Sequence, residues 1–148
     1  MEIVLVGELN PYGIDPRYAL FDLPVRASGH RLRTRILQIE RRTYFKFKKH
    51  NLCTGKWSKH DARAEASRLY LDEYGEVEST FVLLGRKVAE AFFLQDQESF
   101  SWLPEKRMVL LPHPSGLCRE WGKPGAYSRA QEVLRAALPD VAWGEAAL

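Results

Sequence analysis

Ile3-Val4-Leu5-Val6-Gly7, Thr80-Phe81-Val82-Leu83-Leu84-Gly85 and Arg107-Met108-Val109-Leu110-Leu111-Pro112 are three short apolar runs, each closed by Gly or Pro. Apolar runs without polar alternation suit strands buried on both faces, which belong to parallel sheets. Segments with helical spacing lie between and beyond them. Ser28 is a capping residue for a helix to about Arg42, with Leu32, Ile36 and Ile39 inward. Ser58 caps a second, ending near Gly75, with Ala62, Ala66, Leu69 and Tyr70 on one face. Arg86 to Leu94 and Tyr127 to Leu138 are two more. Tyr44-Phe45-Lys46-Phe47-Lys48 alternates aromatic and charged, then reaches His50-Asn51-Leu52, and reads as a further strand with one wetter face. The expected fold is α/β: a three-layer α/β/α sandwich around a central four-stranded, mainly parallel sheet. Residues 1–148 are expected to form a single domain.

Such sheets bind ligands beyond the C-terminal ends of their strands. The segments expected there hold Asn10, Asn51 and His113. Gly7 to Pro24 is long for a connector and rich in breakers, a composition of functional loops.

The net charge is +3, but it is unevenly spread. Arg26, Arg31, Arg33, Arg35, Arg41, Arg42, Lys46, Lys48, Lys49, Lys56 and Lys59 are opposed only by Glu40. That stretch is therefore +10 and the remainder −7. A one-signed field attracts polyanions, although charge runs also serve simply as solvated faces. No apolar run reaches the roughly 20 residues of a membrane span. The start lacks the basic, then long apolar, pattern of a signal peptide, so a cytoplasmic protein is expected. Cys53 and Cys118 are too few for a four-thiolate site and are expected to be reduced thiols. Ile14 follows Gly13 where a phosphate-binding loop needs Lys. Neither a metal nor a cofactor is expected.

Gly7-Glu8-Leu9-Asn10-Pro11-Tyr12-Gly13 and His113-Pro114-Ser115-Gly116-Leu117-Cys118-Arg119 resemble the two signature motifs of the uracil-DNA glycosylase superfamily. The first combines the G-E opening of one branch with the N-P core of the mismatch-specific branch. Leu23 to Gly29 resembles the segment that follows the first motif, and Val82 to Ala89 resembles a strand-to-helix step of the family. Three departures stand out. Leu9 lengthens the first motif by one residue, Pro24 falls where an aromatic normally stacks on the base, and the four cluster cysteines of one branch are missing.

The resemblance implies hydrolysis of an N-glycosidic bond, with a uracil-DNA glycosylase-like fold and DNA carrying a flipped base as partner. Positive charge grows on the sugar and negative charge on the departing base. Asn10 or Glu8 is then the group that positions water, Asn with its amide, Glu as the better proton acceptor. Asn10 is equally an Asx-turn residue before Pro11. His113 would donate an imidazole N–H to the base oxygen. Asn51 would read a base edge, its amide being both donor and acceptor. Tyr12 would sit against pyrimidine C5, with Phe21 or Tyr18 replacing the missing stacking ring. Leu117 would fill the gap left by the flipped base. Ser115 and Gly116 would hold phosphates through backbone N–H groups, helped by Arg119 and by Lys48 and Lys49 of the basic stretch. Trp57 and Trp121 would stack on bases or belong to the core. Two other readings remain: a noncatalytic base- or DNA-binding module of this fold, and a hydrolase of free nucleosides or nucleotides. A monomer is expected.

Overall fold

The computed structural model describes residues 2–10, 15–75 and 77–145. Tyr12, with Pro11 and Gly13, lies outside the described residues.

Among the described residues five strands form one mixed, mostly parallel sheet. They are β1 (Glu2–Asn10), β2 (Lys48–Thr54), β3 (Ser79–Leu84), β4 (Ser101–Leu103) and β5 (Met108–Leu111). Their spatial order is β2-β1-β3-β5-β4. Only β4 runs antiparallel, against β5. The sheet thus has one strand more than the four expected. Three residues, each half-buried, are too few for a period-2 pattern to stand out in the sequence.

Helices cover both faces because side chains alternate along each strand. Leu5, Val82, Leu84, Val109 and Leu111 join one core. It is closed by α1 (Ser28–Arg31, extended by wide turns over Leu32–Leu37) and by α5 (Ala126–Ala137). Val4, Val6, Phe81, Leu83 and Leu110 join the other. That face is closed by α3 (Lys59–Ser67, extended over Arg68–Glu73) and α4 (Arg86–Ala91). Each fully buried aliphatic side chain contributes about 1.5–3 kcal/mol, so the two apolar faces hold the layers together.

Ser58 caps α3 as expected, its side chain accepting from the Asp61 N–H. Ser28 does not cap α1: Ala27 is the residue at that position, and Ser28 is already helical. The helix expected to reach Arg42 stops at Leu37, because Gln38 turns left-handed at φ 56°. The chain restarts as α2 (Arg41–Lys46), where a strand over Tyr44–Lys48 was expected. The cause is Tyr44 and Phe47, three residues apart and both buried, while Phe45 is exposed. Three-residue spacing fits a helical turn, and the Tyr44 hydroxyl anchors it by donating to the Leu20 carbonyl at 2.5 Å.

The chain leaves β1 for β2 on one side and returns through α3 to β3 on the other. The carboxyl end of β1 is therefore a topological switch point, where open α/β sheets form a crevice. β1 runs past its pairing with β3, which ends at Val6, and continues beside β2 to Asn10. Asn10 and Asn51 thus stand on strands rather than in the loops expected to carry them.

Candidate functional site

A cleft of about 540 Å³ opens at this switch point. Glu8, Asn10, Phe21, Asn51 and His113 all line it. Glu8, Leu9 and Asn10 form the carboxyl end of β1, where it continues beside β2 beyond its pairing with β3, and all three line the cleft.

Asn51 sits within β2, directly opposite Gly7 of β1. Both polar atoms of its side-chain amide are buried without a hydrogen-bond partner among the described residues. Leaving buried polar groups unpaired costs about 1–3 kcal/mol each, so an amide placed in a cleft wall without a protein partner is open to pairing with water or a ligand. Gly7 makes room for it. A Cβ added at Gly7 would lie 2.5 Å from Asn51 Oδ1 and 2.9 Å from the Leu20 side chain. Gly29 performs a similar task for the cleft wall, since a Cβ there would lie 2.1 Å from the Phe21 carbonyl oxygen. Helix α1 can thus pack directly on the Leu20–Phe21 backbone.

His113 lies two residues past β5. Its Nδ1 accepts the Ser115 backbone N–H at 3.0 Å, so the neutral ring carries its proton on Nε2. Nε2 lies 3.9 Å from the Glu8 carboxylate. The Trp121 indole N–H donates to the His113 carbonyl at 2.8 Å and fixes the backbone. Trp121 is itself buried, stacked on Tyr127 and edge-on to Phe100, so it is a core residue and not a platform for bases. Trp57 is partly buried, with Lys87 over its ring.

Asn10 is 7% exposed, and its amide donates to the Asp15 carbonyl at 2.8 Å. That bond ties the end of β1 to the segment following residues 11–14. Glu8 instead turns its carboxylate toward His113. Phe21 lines the cleft, and Tyr18 packs edge-on against it at 5.3 Å.

The loop after His113 projects outward. Leu117 is 93% exposed, a large apolar side chain in water. Gly116 and Arg119 are exposed beside it. The Ser115 N–H is spent on His113, so it is not available to a phosphate as expected; its hydroxyl oxygen accepts the Leu117 N–H at 3.1 Å.

The basic stretch divides into committed and open charges. Arg33 and Arg41 both hold Asp22, which is fully buried just after Phe21. Arg42 pairs with Glu40 and Lys59 with Glu90. Lys49, expected to contact DNA, turns inward. Its ammonium donates to the Tyr44 and Phe47 carbonyls at 2.6 and 2.9 Å and lies over the Tyr44 ring. Burial pushes its pKa down to about 8. Arg26, Arg35, Lys46, Lys48 and Lys56 are exposed and without an acidic partner among the described residues. Asp22 lies outside the sequence motifs and Arg31 entered only as one charge of the basic stretch; nothing in local spacing marks either. No protein family, no curated protein and no solved structure matches this chain.

Proposed function

We propose that the protein is a monofunctional DNA glycosylase that hydrolyses the N-glycosidic bond of uracil or another deaminated or modified base. The observation that carries this reading is the meeting of Glu8, Asn51 and the Nε2–H of His113 at one cleft, with an exposed Leu117 four residues after His113 in the chain. It agrees with the resemblance of the two motifs to the uracil-DNA glycosylase superfamily.

The residues divide the work by their chemistry. Asn51 pairs its unmet amide with the base edge. Phe21 supplies an aromatic wall. The His113 Nε2–H donates to the base oxygen on which negative charge develops. Glu8 holds the attacking water and takes its proton. Water oxygen bonds to the sugar carbon, the C–N bond breaks with its electron pair on the base, and the base leaves to be protonated. Glu8 is favoured over Asn10 because a carboxylate accepts a proton and the Asn10 amide is engaged with Asp15.

The test is incubation with single- and double-stranded oligonucleotides carrying one uracil, hypoxanthine, xanthine or hydroxymethyluracil, followed by hot alkali. Strand breaks at the modified base are expected. Intact strands throughout, with DNA binding preserved, would overturn excision of these bases and leave a noncatalytic binding module.

Two variants probe the roles. Leu117→Ala is expected to slow excision from duplex about tenfold, since filling the gap offsets an unstacking cost of a few kcal/mol. It should leave single strands unaffected, and equal losses on both substrates would remove the wedge role. Gly7→Ala should displace the Asn51 amide at a stability cost of about 1–3 kcal/mol. Fluorescence anisotropy should then find its preference for base-bearing over abasic DNA gone, while a retained preference would place base reading elsewhere.

A further inference from the structure

We infer that Arg31, with the Ser115 hydroxyl and the Gly116 N–H, forms an anion site at the rim of the cleft that takes a phosphate group of the substrate. This rests on the proposed reading only in taking the ligand to be a nucleotide or nucleic-acid strand.

The argument begins with the company Arg31 keeps. Its Nε donates to the Pro114 carbonyl at 3.3 Å and its Nη2 to the Tyr127 hydroxyl at 3.2 Å. Both partners are neutral. Among the described residues the other partly buried arginines, Arg33, Arg63 and Arg107, each have a carboxylate within ion-pair distance. Arg31 alone of these lacks one. A partly desolvated cation without a counter-charge is costly, and a ligand anion removes that cost.

The surroundings suit phosphate. The guanidinium runs 3.7 Å from the point where a Cβ on Gly116 would sit, so it lies along the open side of the loop. The Gly116 N–H has no acceptor among the described residues. Ser115 Oγ accepts from Leu117, which leaves its O–H free to donate outward. Arg31 keeps Nη1 for a planar, charge-assisted grip. Its two neutral bonds hold the fork in place before the ligand arrives. Pro114 and His113 line the cleft itself, so an anion here is adjacent to the base position.

The test uses single strands with one tetrahydrofuran abasic analogue, which cannot be cleaved, titrated at several salt concentrations. Arg31→Met should weaken binding about tenfold, as loss of a charged hydrogen bond implies. It should also lower the slope of log K against log salt by about 0.7. A neutral methylphosphonate beside the analogue should weaken the native protein by a similar factor and Arg31→Met no further. Tyr127→Phe, which removes a neutral partner but keeps the charge, should leave the slope unchanged. If Arg31→Met fails to fold, Arg31→Lys reads the same site: the salt slope stays and part of the affinity is lost. Deoxyuridine monophosphate separates the two phosphate sources. Competition with the strand, abolished in Arg31→Met, points to a terminal phosphate, and its failure beside a methylphosphonate effect points to a strand phosphodiester. An unaltered slope in folded Arg31→Met, or a methylphosphonate effect equal in both proteins, would overturn the site. A protein that passes these binding tests but excises no base would sink the glycosylase reading and leave the anion site standing.

Discussion

A His113→Ala variant is expected to excise its base about 10²- to 10³-fold more slowly than the native protein, the usual loss when one oxyanion donor is removed. The size follows from preorganisation. The imidazole is set before substrate arrives: Ser115 donates to Nδ1, and Trp121 holds the carbonyl of the same residue. On the proposed reading, Nε2–H then needs no reorganisation as charge moves onto the base. Removing the ring also leaves the Ser115 N–H without its acceptor, and the loop carrying Leu117 loosens. His113→Asn separates these effects, because a short amide can still accept from Ser115 but ends short of the base. A rate for His113→Asn close to that of His113→Ala assigns the loss to chemistry. Glu8→Gln should also be slow, and the two losses should not add, since both groups act on one bond-breaking step. Single-turnover rates on the best oligonucleotide measure all of these. A native rate in His113→Ala would remove the reaction from this cleft altogether.

The second large effect concerns stability. Asp22→Asn is expected to lower unfolding free energy by about 3 kcal/mol, at the low end for breaking a buried ion pair because Arg41 remains partly solvated. The carboxylate is fully buried and holds Arg33 at 2.9 Å and Arg41 at 2.7 Å. An amide in its place would leave two guanidinium groups without a counter-charge. Burial by itself would raise the Asp22 pKa, but the hydrogen bonds and charges of Arg41 and Arg33 outweigh it and hold the value below the ordinary 3.8. The folded state thus binds this proton less readily than the unfolded chain. Its contribution is complete above about pH 3.8 and drains away as pH falls through the lower folded value. Urea unfolding at neutral and acid pH should show a stability gap between native protein and variant that narrows in acid. A gap constant with pH would mean that the charge of Asp22 does not contribute.

The same cluster bears on the site. Asp22 directly follows Phe21, and the Asp22 backbone carbonyl lies 3.1 Å from His30 Nδ1. Tyr44 binds the carbonyl of Leu20, whose φ of 51° is unusual for a branched residue. Helices α1 and α2 therefore hold the Leu20–Asp22 segment against the cleft. Two of the eleven positive charges of the basic stretch, Arg33 and Arg41, are spent on this clamp rather than on a polyanion. Arg31 and the exposed Arg26, Arg35, Lys46, Lys48 and Lys56 have no acidic partner among the described residues and remain for attraction of an anion.

Three buried strands, the helices between them and the α/β class were legible in the sequence, because burial on both faces of a parallel sheet leaves unbroken apolar runs. The meeting of Asn10, Asn51 and His113 was also legible, since such sheets gather ligands at carboxyl ends; Glu8 joined them only through the motif resemblance. Other features depended on contacts distant in the chain. The Tyr44 segment alternates like a strand, yet it is helical because Tyr44 reaches Leu20 and Phe47 packs on Trp143. β4 exists only by pairing with β5. Lys49 looked like any lysine of a basic run until its ammonium folded onto two carbonyls. The sequence by itself determined which residue types the cleft contains and which layers enclose it, through local periodicity and strand-end chemistry. Only the tertiary structure decided which charges are engaged, which amide is left unpaired and which side of His113 carries the proton, because those depend on partners that chain order does not bring near.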